Sequence, residues 1–237
     1  MRSAEYPENE TSRLKALLDY KILDTAPEED FDDLTWLASH ICQTPIALIS
    51  FVDTHRQWFK SKVGLQAQET HRDIAFCAHA ILEKEIFIVS DTLTDDRFAD
   101  NPLVTADPCI RFYAGAQLKS ANGFNLGTLC VIDRQSRQLS ADQEKALRAL
   151  SRQVTIQMEF RRLLYEQDHR IQQARESIED HSLLSGLLPI CAQCRNIRDT
   201  NGIWKSLESY LRAHSEAWLN HGLCPACAVK FRVQREQ

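Results

Sequence analysis

Between Ala141 and Ser185 the chain contains no glycine and no proline, and most of its residues there are good helix formers. Glycine costs a helix interior about 1 kcal/mol and proline about 3 kcal/mol relative to alanine, so the stretch is predicted to form one long helix. A helix of that length divides the 237 residues into a first unit over 1–160, a helical connector over 161–185 and a second unit over 186–237. Within the connector Leu164, Ile171 and Ile178 are seven residues apart, with Gln167, Ala174 and His181 at the intervening core positions. Two readings stand side by side: a solvated last helix of the first unit, or a parallel dimeric coiled coil with a weak seam whose register or splay can respond to a signal.

The chain is long enough for two units and a connector, and too short for a sensor joined to a complete kinase or cyclase domain. Apolar residues make up 43% and charged residues 26%, which suffices for a hydrophobic core. A net charge of -5 gives no overall electrostatic reason to bind nucleic acid or an anionic membrane. Neither a signal peptide nor an apolar run of about 18 residues is visible, so a cytoplasmic protein is expected. In a reducing compartment, eight cysteines are more readily explained by metal binding or redox chemistry than by disulfides.

The first unit opens with two amphipathic helical stretches, one carrying Leu14, Leu17, Leu18 and Ile22, the other Phe31, Leu34, Leu37, Ala38 and Ile41. After Pro45, IALISFVD reads as a buried strand, and Arg56 to Val63 reads as its hairpin partner across Asp53-Thr54-His55. A helical segment from Ile74 to Leu82 precedes the strand-like IFIVSD, and a polar loop follows. IRFYAGAQLKS and LGTLCVID then form a hairpin across Ala121-Asn122-Gly123. This order predicts an α+β unit with a mainly antiparallel sheet.

The segments SRLKALLDYKILDTAPEEDFDDLTWLASHICQTPIALISFVDTHRQWFKSKVGL, RDIAFCAHAI, DDRFADNPLV and IRFYAGAQLKSANGFNLGTLCVID resemble the GAF domains that precede histidine kinases and diguanylate cyclases in bacteria. The resemblance spans residues 9–160. It implies a six-stranded antiparallel sheet, helices on one face that form a dimer surface, and a small-molecule pocket on the other. Phe59, Phe76, Cys77, His79, Phe112 and Tyr113 lie in the matching segments where such a pocket would be lined. The ligand is left unknown, because one fold hosts many ligands. A bilin-binding GAF domain usually has cysteine directly before histidine, whereas Ala78 separates Cys77 from His79 here. A GAF-type thiol reductase would need a matched cysteine set that Cys42, Cys77, Cys109 and Cys130 do not reproduce. Asp91, Asp95, Asp96 and Asp100 lack the spacing of an EF-hand loop and read as a solvated or capping cluster. With no phosphate loop, nucleophile elbow or kinase signature, the chain is expected not to be an enzyme.

The second unit carries Cys191-x-x-Cys194 and Cys224-x-x-Cys227. Two such turns supply the four thiolates of a tetrahedral zinc site, with Zn–S near about 2.3 Å, and four thiolates leave no open coordination position. A unit of about 50 residues has too little core to be stable alone, which gives a structural metal its purpose. Replacement of one cysteine by His221 or His214 stays open, as does iron in place of zinc. Asp199, Asn201 and Gly202 are expected to turn the chain back past Trp204, and Leu207, Leu211, His214 and Trp218 to lie on a short amphipathic helix. The tail over 187–230 also resembles a short module at the ends of bacterial response-regulator and sensor proteins.

The expected function is therefore signal transduction. A homodimeric, cytoplasmic GAF sensor binds a small molecule and couples through its helix to a zinc module that contacts a protein partner. The alternatives are a nucleic-acid-binding regulator acting through Arg195, Arg198, Lys205, Arg212, Lys230, Arg232 and Arg235, whose positive charge Glu208 and Glu216 interrupt, and a reductase using Cys77.

Overall fold

The computed structural model describes residues 1–181, 188–214, 220, 222–225 and 227–228. His221, Trp218, Lys230, Arg232 and Arg235 lie outside the described residues. The chain divides into two compact units, Met1–Gln167 and Asp168–Gln237.

The first unit is built on a six-stranded antiparallel sheet. Its strands are β1 (Ile46–Val52), β2 (Arg56–Val63), β3 (Glu69–His71), β4 (Phe87–Val89), β5 (Phe112–Lys119) and β6 (Asn125–Asp133), in the order β3-β2-β1-β6-β5-β4. Helices α1 (Glu10–Asp19), α2 (Glu29–Cys42) and the long α5 (Ala141–His181) precede and follow it, and the short α3 (Phe76–Ala80) and α4 (Pro102–Thr105) sit in the connections. Every residue of β1 is buried, because this central strand is covered on both faces. Ala47, Ile49 and Phe51 pack with Leu17, Phe31, Ala38, Leu147 and Val154 of the three long helices. Ile46, Leu48 and Val52 pack on the opposite face with Phe59, Phe76, Phe98 and Ile110. Each fully buried Leu, Ile or Phe on either face stabilises the fold by about 1.5–3 kcal/mol.

Two close backbone contacts require glycine, one inside the sheet and one at the end of β2. A Cβ on Gly127 in β6 would stand 1.9 Å from the Ser50 carbonyl oxygen of β1, and one on Gly64 would stand 2.0 Å from the Pro45 carbonyl oxygen. Gly64 also has a φ of +73°, a conformation glycine adopts without steric cost.

Buried charges fasten the helices to the sheet. Arg13, 1% exposed, donates two hydrogen bonds to Glu10 at 2.6 and 2.7 Å and one to the Val52 carbonyl at 2.7 Å. Arg72 reaches the same Glu10 carboxylate and also the Asp53 carbonyl. Lys60 of β2 donates to Thr25 Oγ1, the Ala26 carbonyl and Glu28 Oε1, and Arg161 of α5 completes the pairing of Glu28. Buried charges persist only where they are paired and hydrogen-bonded in this way.

In the second unit, Ile197–Arg198 (β7) pairs antiparallel with Trp204–Lys205 (β8). The Asp199 carboxylate accepts from the Asn201 and Ile203 amides, and Gly202 has a φ of +80°, so the turn forms where its composition placed it. Helix α6 (Leu207–His214) follows.

Candidate ligand pocket and cysteine turns

On the sheet face opposite α1, α2 and α5 there is a cavity of about 260 Å³. Leu48 of β1, Phe59 of β2, Leu65, Phe76 and Cys77 of α3, and Tyr113 of β5 line its apolar part. Gln57, Thr70, Asp107 and Arg134 supply polar groups at its wall. The Thr70 hydroxyl is buried with no hydrogen-bond partner among the described residues. A buried hydroxyl costs free energy until something bonds it, so a ligand carrying one matching polar atom would relieve that cost. Arg134 donates to the Pro108 carbonyl through Nε, which orients the guanidinium at the wall.

Of the six pocket residues expected from sequence, Phe59, Phe76, Cys77 and Tyr113 line the cavity. Phe112 and His79 are corrections. Phe112 is the neighbour of Tyr113 on an extended strand, so it points to the other face and packs with Leu17, Phe31 and Leu147. His79 is buried outside the lining, with Nε2 bonded to the Arg2 carbonyl at 3.1 Å and its ring edge-on to Phe98. Burial, then the nearby charge of Arg97, lowers the pKa of its imidazole and favours the neutral form. The polar wall residues carry no signal in the sequence, because they come from four separate segments that share no motif.

Cys77 has an unusual setting. Ser50 Oγ donates to its sulfur at 3.1 Å, Tyr113 Oη at 3.2 Å and Thr128 Oγ1 at 3.0 Å, and Cys130 Sγ stands 3.9 Å away. Burial by itself would push this thiol up. The contact with Cys130 and the Ser50, Thr128 and Tyr113 hydroxyls outweigh it and bring Cys77 down to about 7. Burial and the neighbouring Cys77 raise both Tyr113 and Cys130, which therefore stay protonated. Two acidic residues of the adjoining loop are held in local pairs: Asp91 caps the turn at Leu93 and binds Arg111, and Asp95 binds Arg97.

In the second unit the Cys191 amide donates to the Asn196 carbonyl and the Arg195 amide to the Cys191 carbonyl, closing a tight turn in which Arg195 has a φ of +64°. Backbone amides of Cys194, Gln193 and Arg195 point at Cys191 sulfur and lower its pKa. Amides aimed at one sulfur favour the thiolate that a metal needs. The structure thus brings Cys191 and Cys194 together. Cys224 and Cys227 stand on a separate turn, where the Ala228 amide bonds the Cys224 carbonyl. Among the described residues no group of three or more His, Cys, Asp or Glu side chains is gathered as a metal site.

A six-stranded antiparallel sheet with long helices on one face and a lined cavity on the other defines a sensor-type domain. The family model for the GAF domain matches residues 26–158, more than half of the chain, and the chain belongs to that family. It is 46% identical over 147 residues to a protein of Pseudomonas aeruginosa named a cyclic di-GMP phosphodiesterase. The match takes in 62% of this chain and 25% of that protein, so the chain spans about a quarter of its relative. Among solved structures, bacteriophytochrome RpBphP3 from the photosynthetic bacterium R. palustris is 10% identical, with a TM-score of 0.51 over 77% of this chain and 43% of that one. The GAF domain of an Acinetobacter phosphoenolpyruvate-protein phosphotransferase is 15% identical over 65% of this chain and 95% of its own, with a TM-score of 0.48. The phytochrome is similar to this chain in fold.

The relative corrects one expectation. Lacking the common catalytic motifs, the sequence predicts a non-enzyme. A protein 46% identical over 147 residues of the chain is named a phosphodiesterase, which overturns that expectation.

Proposed function

We propose that the chain takes part in enzymatic turnover of cyclic di-GMP, with the first unit as the domain that senses a small molecule and sets the rate. The observation that carries the reading is the cavity with its Thr70 hydroxyl unpaired among the described residues, in a chain 46% identical over 147 residues to part of a cyclic di-GMP phosphodiesterase. A cavity of about 260 Å³ suits a compact, mostly apolar metabolite with one or two polar atoms facing Thr70, Gln57 or Arg134.

Transmission runs through α5 in a homodimer. Ile156, Phe160, Leu163, Leu164 and Ile171 are each at least half exposed along this helix, and Trp36 of α2 is 54% exposed. Apolar side chains in such a row lose free energy to water until a second copy covers them. Phe160, four residues before Leu164, places an apolar side chain at the intervening core position of the Leu164 and Ile171 seam, which favours the parallel coiled-coil reading over the solvated helix. The second unit holds a structural zinc through Cys191, Cys194, Cys224 and Cys227 and presents a surface to a protein partner. The amide-lined Cys191 turn supports the zinc site. No described helix is long and apolar enough to cross a membrane, which is compatible with a cytoplasmic location.

The test fills the cavity from its rim. Leu65→Trp occupies the space without altering the sheet, and cyclic di-GMP is quantified in cells expressing the intact chain, the variant or neither. A level that changes on deletion, and that the variant fails to restore, supports the reading. An identical level in all three cells refutes it.

A further inference from the structure

We propose that Cys77 is a peroxide-reactive site within the cavity, with Cys130 as the thiol that resolves it into a disulfide. This inference stands on the sheet interior and does not depend on the identity of the sensed metabolite.

Three observations carry it. Cys77 is among the residues lining the cavity and Cys130 is not, so a small hydroperoxide entering there approaches the thiol pair from the side of Cys77. Three hydroxyls converge on that sulfur, from β1, β5 and β6, at 3.0–3.2 Å. A neutral thiol is a weak acceptor, and three donors aimed at one sulfur are matched by the negative charge of a thiolate, the reactive form. Burial opposes that charge, but the hydroxyls and Cys130 outweigh it, which leaves the sulfur readily ionised near neutral pH. Finally, the two sulfurs stand 3.9 Å apart, and a side-chain torsion closes that gap to the bond length of about 2.05 Å.

The chemistry balances with the hydroperoxide as oxidant. The Cys77 thiolate attacks the terminal peroxide oxygen, the O–O bond breaks, and the departing alkoxide or hydroxide takes up a proton. Cys77 is then a sulfenic acid. The Cys130 sulfur, giving up its proton, attacks Cys77 sulfur. The S–O bond breaks, and the leaving hydroxide combines with that proton as water. Two thiols have lost two electrons to one peroxide bond. The disulfide no longer attracts the Tyr113 hydroxyl as a thiolate does, and Tyr113 itself lines the cavity, so oxidation alters the wall that a ligand meets.

The experiment uses the full chain, reduced and then exposed to hydrogen peroxide, alkylated under denaturing conditions and mapped by mass spectrometry without reduction. The expected product is a peptide pair joined through Cys77 and Cys130, lighter by two hydrogens. In Cys130→Ala, Cys77 should instead be captured by dimedone as the sulfenic acid. Thr128→Val should slow Cys77 oxidation about fivefold at pH 7 by removing one donor, with its melting temperature measured alongside. Cys77 and Cys130 alkylated to the same extent before and after peroxide would overturn the proposal, as would Cys77 joined to any other cysteine. The mapping is done on the unaltered protein, so a variant that fails to fold does not change what that measurement decides.

Discussion

Glu10 holds two buried guanidiniums at once, and replacing it with glutamine isolates what that charge contributes. Arg13 is 1% exposed and Arg72 is 4% exposed, while the Glu10 side chain is 15% exposed. Glutamine keeps the shape and one acceptor but removes the negative charge facing both arginines, leaving them the Val52 and Asp53 carbonyls. Breaking a buried ion pair costs about 3–5 kcal/mol, and the partial exposure of Glu10 puts the expected loss at the low end, about 3 kcal/mol. For a domain of this size that lowers the melting temperature by about 6–12 °C. Urea unfolding followed through tryptophan fluorescence, to which the buried Trp58 contributes, should show a lower midpoint with an unchanged slope. The pH dependence has a definite sign. Burial acts to raise the Glu10 carboxyl, but its bonds to Arg13 and Arg72 hold it below the ordinary carboxylate range. Its contribution is therefore complete at neutral pH and is lost as pH falls through the folded value, so intact and variant proteins should converge in stability toward acid. A loss under about 1 kcal/mol at pH 7, the value of an exposed pair, would refute the reasoning.

The sheet offers a second check. Gly127→Ala should destabilise by about 3 kcal/mol because its Cβ would run into the Ser50 backbone, whereas Gly123→Ala, with open space but a φ of +83°, should lose about 1 kcal/mol. Equal losses in urea would contradict the close contact. Phe160→Glu combined with Leu164→Glu should convert a dimer to a monomer in light scattering, and an unchanged mass would remove α5 as the interface. Elemental analysis should find about one zinc per chain, absent in Cys191→Ser. Chelation should raise hydrogen exchange over residues 188–228 while leaving the first unit protected.

Much of the scaffold could be read in one dimension. Local composition determines α5, because an unbroken stretch without glycine or proline has few alternatives to helix. It also determines β1 and the Ala121-Asn122-Gly123 and Asp199–Gly202 turns, where backbone preference acts over a few residues. The short β3 at Glu69–His71 carried no such signal, since three mostly polar residues become a strand only by pairing with β2.

Tertiary structure decided the chemistry. Phe112 and Tyr113 are neighbours in the chain and look alike in composition, yet the pleat of β5 sends one into the helix-side core and the other to the cavity. Thr70, Asp107 and Arg134 meet around one space only because the sheet and its loops bring distant segments together. Cys77 and Cys130 are 53 positions apart, and the three hydroxyls on Cys77 come from three different strands. The sequence alone determined where the long helix, the central strand and the tight turns form, because those follow from short-range backbone and burial preferences. Which side chains share a pocket, and which thiol is readily ionised, was decided by strand order and register, whose contacts join residues far apart in the chain.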